Sequence, residues 1–232
     1  MSRQLALGLA LQPALSFDSF IPGPNGEALD AVRRLAAGGG EPYLYLWGSA
    51  GVGKSHLLQA ACAAAHAPER PVAYLPLAQA LSFGPELLQD LETMALVCLD
   101  DLQCLAGQAH WEEALFALYN RMREVDAGLL VSADRPLAQL PTRLPDLASR
   151  LAWGPSYQLQ PLPDAELLPA LTRLAAERGL RLPAESAQYI LRRCPRDLGY
   201  LQGLLERLDR ASLAAQRRLT LPFVREQLRR LE

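Results

Sequence analysis

The chain has 232 residues, 50% of them hydrophobic and 21% charged, with a formal net charge of −2. This is enough apolar material for one or two compact domains, and it excludes a disordered chain, a collagen-like repeat and a disulfide-stapled miniprotein. No apolar run reaches about 18 residues, so no membrane span is expected, and the opening MSRQLALGLALQ is too short for a secretory signal.

Pro13, the turn-rich Ile21-Pro22-Gly23-Pro24-Asn25-Gly26 and the run Gly38-Gly39-Gly40 punctuate the N-terminal region. They imply a loose arm, a turn and a short helix near Glu27 to Ala36 that stops at the glycines. Short β-rich apolar runs follow at Tyr43 to Trp47, Val72 to Leu75, Ala95 to Leu99, Gly128 to Ser132 and Tyr157 to Leu159. Helical patterns occupy Lys54 to Ala65 and Trp111 to Val125, the latter with Leu115, Leu118 and Met122 on one face. Apolar strands alternating with helices predict an α/β fold, a parallel sheet with helices on both faces. From Asp164 the strand pattern stops and three or four helices fit through Glu232. Residues 164–232 carry 13 arginines against 9 acids, net +4, while residues 1–163 have 10 basic and 16 acidic residues, net −6. That shift beside Pro161 and Pro163 reads as a domain boundary. The expected division is an arm over 1–15, an α/β domain over 16–163 and a small all-helical domain over 164–232. Cys62, Cys98, Cys104 and Cys194 have no paired spacing, so zinc and disulfides are not expected. Buried free thiols in a reducing cytoplasm are.

Of the 23 basic residues, 22 are arginine and one is lysine, Lys54. A coding bias that replaces lysine wherever arginine serves would leave lysine only where arginine fails. The surrounding Gly48-Ser49-Ala50-Gly51-Val52-Gly53-Lys54-Ser55, with His56 next, fits G-x-x-x-x-G-K-[ST] between a strand and a helix. Glycines let backbone N–H groups converge on phosphate oxygens, and the helix start adds positive partial charge. Lys54 is a compact cation for the β- and γ-phosphates of ADP or ATP, and Ser55 offers a hydroxyl to Mg²⁺. Asp100 and Asp101 end the strand after Leu96-Val97-Cys98-Leu99. There Asp100 suits the Mg²⁺ shell and Asp101 the orientation of a water.

With Ser132-Ala133-Asp134-Arg135-Pro136 and Ala148-Ser149-Arg150-Leu151-Ala152-Trp153-Gly154, this loop and acidic strand resemble the AAA+ domain of the bacterial replication initiator DnaA. Leu208-Asp209-Arg210-Ala211-Ser212 and Pro222-Phe223-Val224 resemble the members of that family that inactivate the initiator. The resemblance covers essentially the whole chain. It implies an AAA+ fold with a helical lid, Asp134 as sensor 1 and Arg150 as an arginine finger acting across a subunit boundary. It also implies that Phe20 and Ile21 lie in the stretch that packs on adenine, although core packing explains them equally. Gly199 falls where the family places a sensor-2 arginine, and Arg196 is the nearest substitute. Gln4-Leu5-Ala6-Leu7-Gly8-Leu9 resembles a motif that docks proteins on the replicative sliding clamp, with Gln4, Leu5, Leu7 and Leu9 as contacts.

The reading implied is a cytoplasmic, nucleotide-bound regulator, tethered to the clamp, that stimulates hydrolysis of ATP on DnaA. It activates a partner more than it hydrolyses ATP itself, and fingers across interfaces make self-association expected. Without a basic recognition helix, sequence-specific DNA binding is not expected. Two rival classes stand beside it: a stand-alone ATPase that loads or remodels replication proteins on DNA, and a scaffold that uses nucleotide only to stay folded.

Overall fold

The computed structural model describes residues 15–67 and 69–230. Five parallel strands form one sheet: β1 Tyr43–Trp47, β2 Val72–Pro76, β3 Leu96–Asp100, β4 Gly128–Ala133 and β5 Ser156–Gln158. Their order is β2-β3-β4-β1-β5, with Leu46 opposite Ser132 and Cys98 opposite Leu130. The five apolar runs therefore share one direction, and each strand end lies at one edge of the sheet.

Side chains alternate between faces, and both faces are covered. Tyr45, Val97, Leu99, Leu129 and Val131 form one core with Leu115, Leu118, Tyr119 and Met122 of helix α4, Ala109–Glu124. Cys98 faces Cys62 of helix α2, Lys54–Ala65, on the other side. Helix α1, Gly26–Ala36, packs against α2 and buries Leu29, Val32 and Leu35. A short α3, Leu77–Ala80, and α5, Pro145–Leu151, complete this unit.

The α/β expectation holds, with shifted boundaries. β3 starts one residue later than expected and keeps Asp100 as its last residue, because Pro76 of β2 pairs with it. β5 begins at Ser156, where pairing with Tyr45 starts. Helix α3 was not legible, since four residues carry no period. No disulfide joins the cysteines; Cys62 and Cys98 are buried as expected, but Cys104 and Cys194 are only half-buried.

The chain divides into two compact units, one comprising the chain up to Ser49 with Lys54–Leu159, the other Ala50–Gly53 with residues from Gln160 on. The second unit contains α6 Asp164–Glu177, α7 Ala184–Arg193, α8 Leu198–Ala215 and α9 Leu221–Arg229. Leu171, Ile190, Leu201, Leu204, Leu205, Phe223 and Val224 are buried among these helices. Asp197 caps α8 by accepting the Tyr200 N–H at 2.6 Å, and Pro222 opens α9 where a missing N–H costs nothing. No helix among the described residues is long and apolar enough to cross a membrane.

Candidate functional site

The ends of β1, β3 and β4 bring Gly48, the Asp100–Asp101 pair and Asp134 to one sheet edge. Gly51 and Gly53 take φ of 76° and 100°, which side-chain-bearing residues adopt only with strain. Lys54 is buried to 7% exposure, and its Nζ donates to the Gly48 and Ser49 carbonyls at 2.8 and 2.9 Å. The loop is thus wrapped around its own ammonium. Ser55 and His56 continue into the first turn of α2.

Asp100 is 3% exposed and held from both sides. Ser132 donates its hydroxyl to Oδ1, while Tyr74 donates to Oδ2 at 2.8 Å and is backed by Gln59 Nε2 at 3.3 Å. Ser132 Oγ also accepts the Asp101 N–H at 3.0 Å. Burial, followed by the nearby Asp100 charge, pushes the Tyr74 phenol far above its ordinary range, so it remains a donor. Each Asp100 oxygen still has a second lone pair, the donor chemistry that a Mg²⁺ shell would use.

Asp101 is left-handed, with φ 63° and ψ 54°, a conformation an aspartate tolerates at modest cost. Its Oδ1 accepts Gln103 Nε2 at 2.8 Å, and Gln103 Oε1 accepts the Asp134 N–H at 3.1 Å. One amide therefore ties the Asp101 carboxylate to the Asp134 backbone. Asp134 takes a two-pronged bond from Arg135, at 2.7 and 2.8 Å. That contact, with a weaker pull from Lys54, holds its carboxyl below the usual range.

Phe20 is buried and meets the His56 ring edge-on, with centroids 5.4 Å apart. His56 Nε2 donates to the Ser16 carbonyl at 2.9 Å, which fixes the segment ahead of Phe20 beside the loop-bearing helix. Ile21 is half-buried.

Arg150 is elsewhere. Its helix α5 leads through Trp153 and Gly154 to the start of β5, and Gly154 presses against the Tyr43 carbonyl at the start of β1. The loop of Gly48 to Lys54 leaves the opposite end of that strand. Four strand rises separate the two ends, about 13 Å. The guanidinium carbon of Arg150 lies 4.7 Å from the Trp153 ring centroid. Arg196, in the second unit, is ion-paired with Asp164. Gln4, Leu5, Leu7 and Leu9 lie outside the described residues.

Sequence reading missed Ser132, Tyr74 and Gln103. Ser132 had a signal, being the one polar residue in the otherwise apolar GLLVSA of β4. Tyr74 and Gln103 had none, because their roles come from tertiary contact.

Residues 11–158 match the family model for the bacterial DnaA ATPase domain, and residues 164–228 match that for the Hda lid domain. Domain III of the Thermotoga maritima replication initiation protein DnaA has a TM-score of 0.80 at 22% identity, covering 93% of this chain and 95% of that one. AMPPCP-bound DnaA from Aquifex aeolicus gives 0.73 at 23% identity, covering 86% of this chain but 66% of that one. The Thermotoga maritima RuvB branch migration motor gives 0.66 at 19%, covering 94% and 72%. At such identities the structural likeness is one of fold, an AAA+ α/β sheet with a helical lid.

Proposed function

The chain belongs to the bacterial DnaA ATPase-domain family, and from that premise we propose that it is a nucleotide-binding regulator acting in trans on ATP-bound DnaA. The observation that carries this is the position of Arg150, at the sheet edge opposite the phosphate-type loop. A guanidinium reaches about 6–7 Å from its own backbone, short of the roughly 13 Å of strand between the two edges. Arg150 thus suits a neighbour's nucleotide and not its own. Positive charge delivered to a transferring phosphoryl group is worth orders of magnitude in rate.

At its own site the chain binds ADP or ATP through residues 48 to 56, with Lys54 on the β- and γ-phosphates and Phe20 and Ile21 toward the base. Ser55 and Asp100 would hold Mg²⁺, which neutralises phosphate charge. Asp101 orients water, Asp134 senses the γ-phosphate, and Arg196 stands in for the arginine missing at Gly199. Residues 1–15 serve as the clamp-binding arm through Gln4, Leu5, Leu7 and Leu9, ahead of the α/β domain over 16–163 and the lid over 164–232. Clamp binding would bring the regulator to DnaA, and self-association would use the same Arg150 edge.

The linked Asp100, Asp101, Gln103 and Asp134 favour a second reading, a stand-alone ATPase that loads or remodels replication proteins. Partner-free, DNA-stimulated turnover would identify it. The test of the first reading is clamp-dependent hydrolysis of DnaA-bound ATP, run with Arg150→Ala and with residues 1–10 removed. Both changes are expected to abolish stimulation, the second together with clamp pull-down. Full stimulation by Arg150→Ala refutes the reading.

A further inference from the structure

Trp153 is 57% exposed, one of few large apolar side chains left to solvent among the described residues. It is not idle surface. The guanidinium carbon of Arg123, in the last turn of α4, lies 4.4 Å from its ring centroid, and that of Arg150 lies 4.7 Å away. One indole therefore holds two cations, neither in an ion pair among the described residues.

The platform beneath is rigid. The Trp153 N–H donates to the Arg150 carbonyl at 3.1 Å, closing the end of α5. A Cβ on Gly154 would lie 2.2 Å from the Tyr43 carbonyl oxygen, so glycine there lets the chain press against β1. The Tyr45 N–H donates to the Pro155 carbonyl at 3.1 Å. Tyr43 and Tyr119 stack behind, with centroids 4.8 Å apart, and their hydroxyls are buried without a partner. The Arg123 and Arg150 charges act on Tyr119, so both arginines lie along this aromatic wall.

An arginine has four rotatable bonds and loses much rotamer freedom when fixed, whereas an indole has two. We infer that Trp153 is a positioning residue for Arg150: its anchored ring stacks the guanidinium, and Arg123 shares the same ring. The ordering is then complete before a partner arrives. This rests on the reading of Arg150 as acting on a neighbour's nucleotide, and it adds why the SRxxWG segment needs Trp and Gly after the arginine.

The test compares Trp153→Ala, Trp153→Phe and Arg150→Ala in stimulated hydrolysis of ATP on DnaA, varying regulator concentration. Trp153→Ala is expected to lower the saturating rate about 5-fold, the scale of one exposed cation–π contact, at unchanged half-saturating concentration. Trp153→Phe, which keeps a ring, is expected to stay within about two-fold of wild type. Independently of activity, the Arg150 Nε–H proton resonance should carry an upfield ring-current shift that disappears in Trp153→Ala and persists in Trp153→Phe. A Trp153→Ala protein with a full saturating rate beside an inactive Arg150→Ala overturns the positioning role alone. So does a rise in half-saturating concentration only, which marks a docking residue, or an unmoved Arg150 resonance. An active Arg150→Ala overturns the underlying reading and this inference together.

Discussion

Replacing Ser132 tests the carboxylate network by its stability. Ser132 is fully buried, donates to Asp100 and accepts the Asp101 N–H at 3.0 Å. Ser132→Ala removes a bond to a carboxylate, about 1.5–3 kcal/mol, and strips the Asp101 N–H of its acceptor, about 1–3 kcal/mol. The losses share one oxygen and do not simply add, so about 3 kcal/mol is expected. At about 2–4 °C per kcal/mol for a chain of this size, the transition of the α/β unit falls by roughly 6–12 °C. Urea unfolding followed by tryptophan fluorescence reads the change as a lower midpoint at unchanged slope. Ser82→Ala is the control, because its hydroxyl bonds the Gln79 carbonyl at 2.9 Å on the exposed surface. It should cost less than about 0.5 kcal/mol. If Ser132→Ala unfolds at the same urea concentration as Ser82→Ala, the network does not hold Asp100 as described.

Three further outcomes follow from the geometry. Gly154→Ala sets a Cβ 2.2 Å from backbone oxygen, which cannot swing aside, so about 1–3 kcal/mol of stability is lost; a wild-type thermal midpoint would contradict the close approach. Gln103→Glu puts a second carboxylate against Asp101 Oδ1, where an amide N–H now sits at 2.8 Å. Like charges there should lower the thermal midpoint at pH 7 and let it recover toward pH 4, and a pH-independent midpoint would count against the contact. Burial pushes Tyr43 up to about 12 and Tyr45 and Tyr74 higher still. Folded values raised above the unfolded value of about 10 leave stability intact below pH 10 and erode it as pH rises through 10 to 12. Absorbance at 295 nm should then show these phenols ionising only with unfolding; all seven tyrosines titrating together near pH 10 in the folded protein would contradict it.

The parts of the fold legible in sequence were those with a local signature. Tyr43–Trp47 and Lys54–Ala65 have the expected bounds, because an apolar run, a glycine loop and a helix start leave little freedom. Lys54 announced itself by its loop motif and Asp100 by ending an apolar strand, while Asp134 was marked only by the resemblance to the DnaA family. What holds them did not. Tyr74 reaches Asp100 only because β2 lies beside β3, and Gln103 spans Asp101 and Asp134 only because a left-handed turn folds it back. Arg150 was legible as a motif, but its position at the far sheet edge follows from Gly154 meeting Tyr43, a contact between residues 111 positions apart. The pairing of Arg123 with Trp153 joins α4 to the end of α5 and has no pattern in the sequence.

The most direct test of the account is a single-turnover measurement with labelled ATP pre-bound to DnaA and unlabelled nucleotide on the regulator. Only hydrolysis at the DnaA site is then visible, and its rate without the regulator gives the baseline. With clamp present, the wild-type chain should accelerate loss of the label, and Arg150→Ala should remove about 10³-fold or more of that acceleration while its fold and nucleotide binding stay intact. Equal rates for the two proteins would contradict the claim that Arg150 works on another chain's nucleotide.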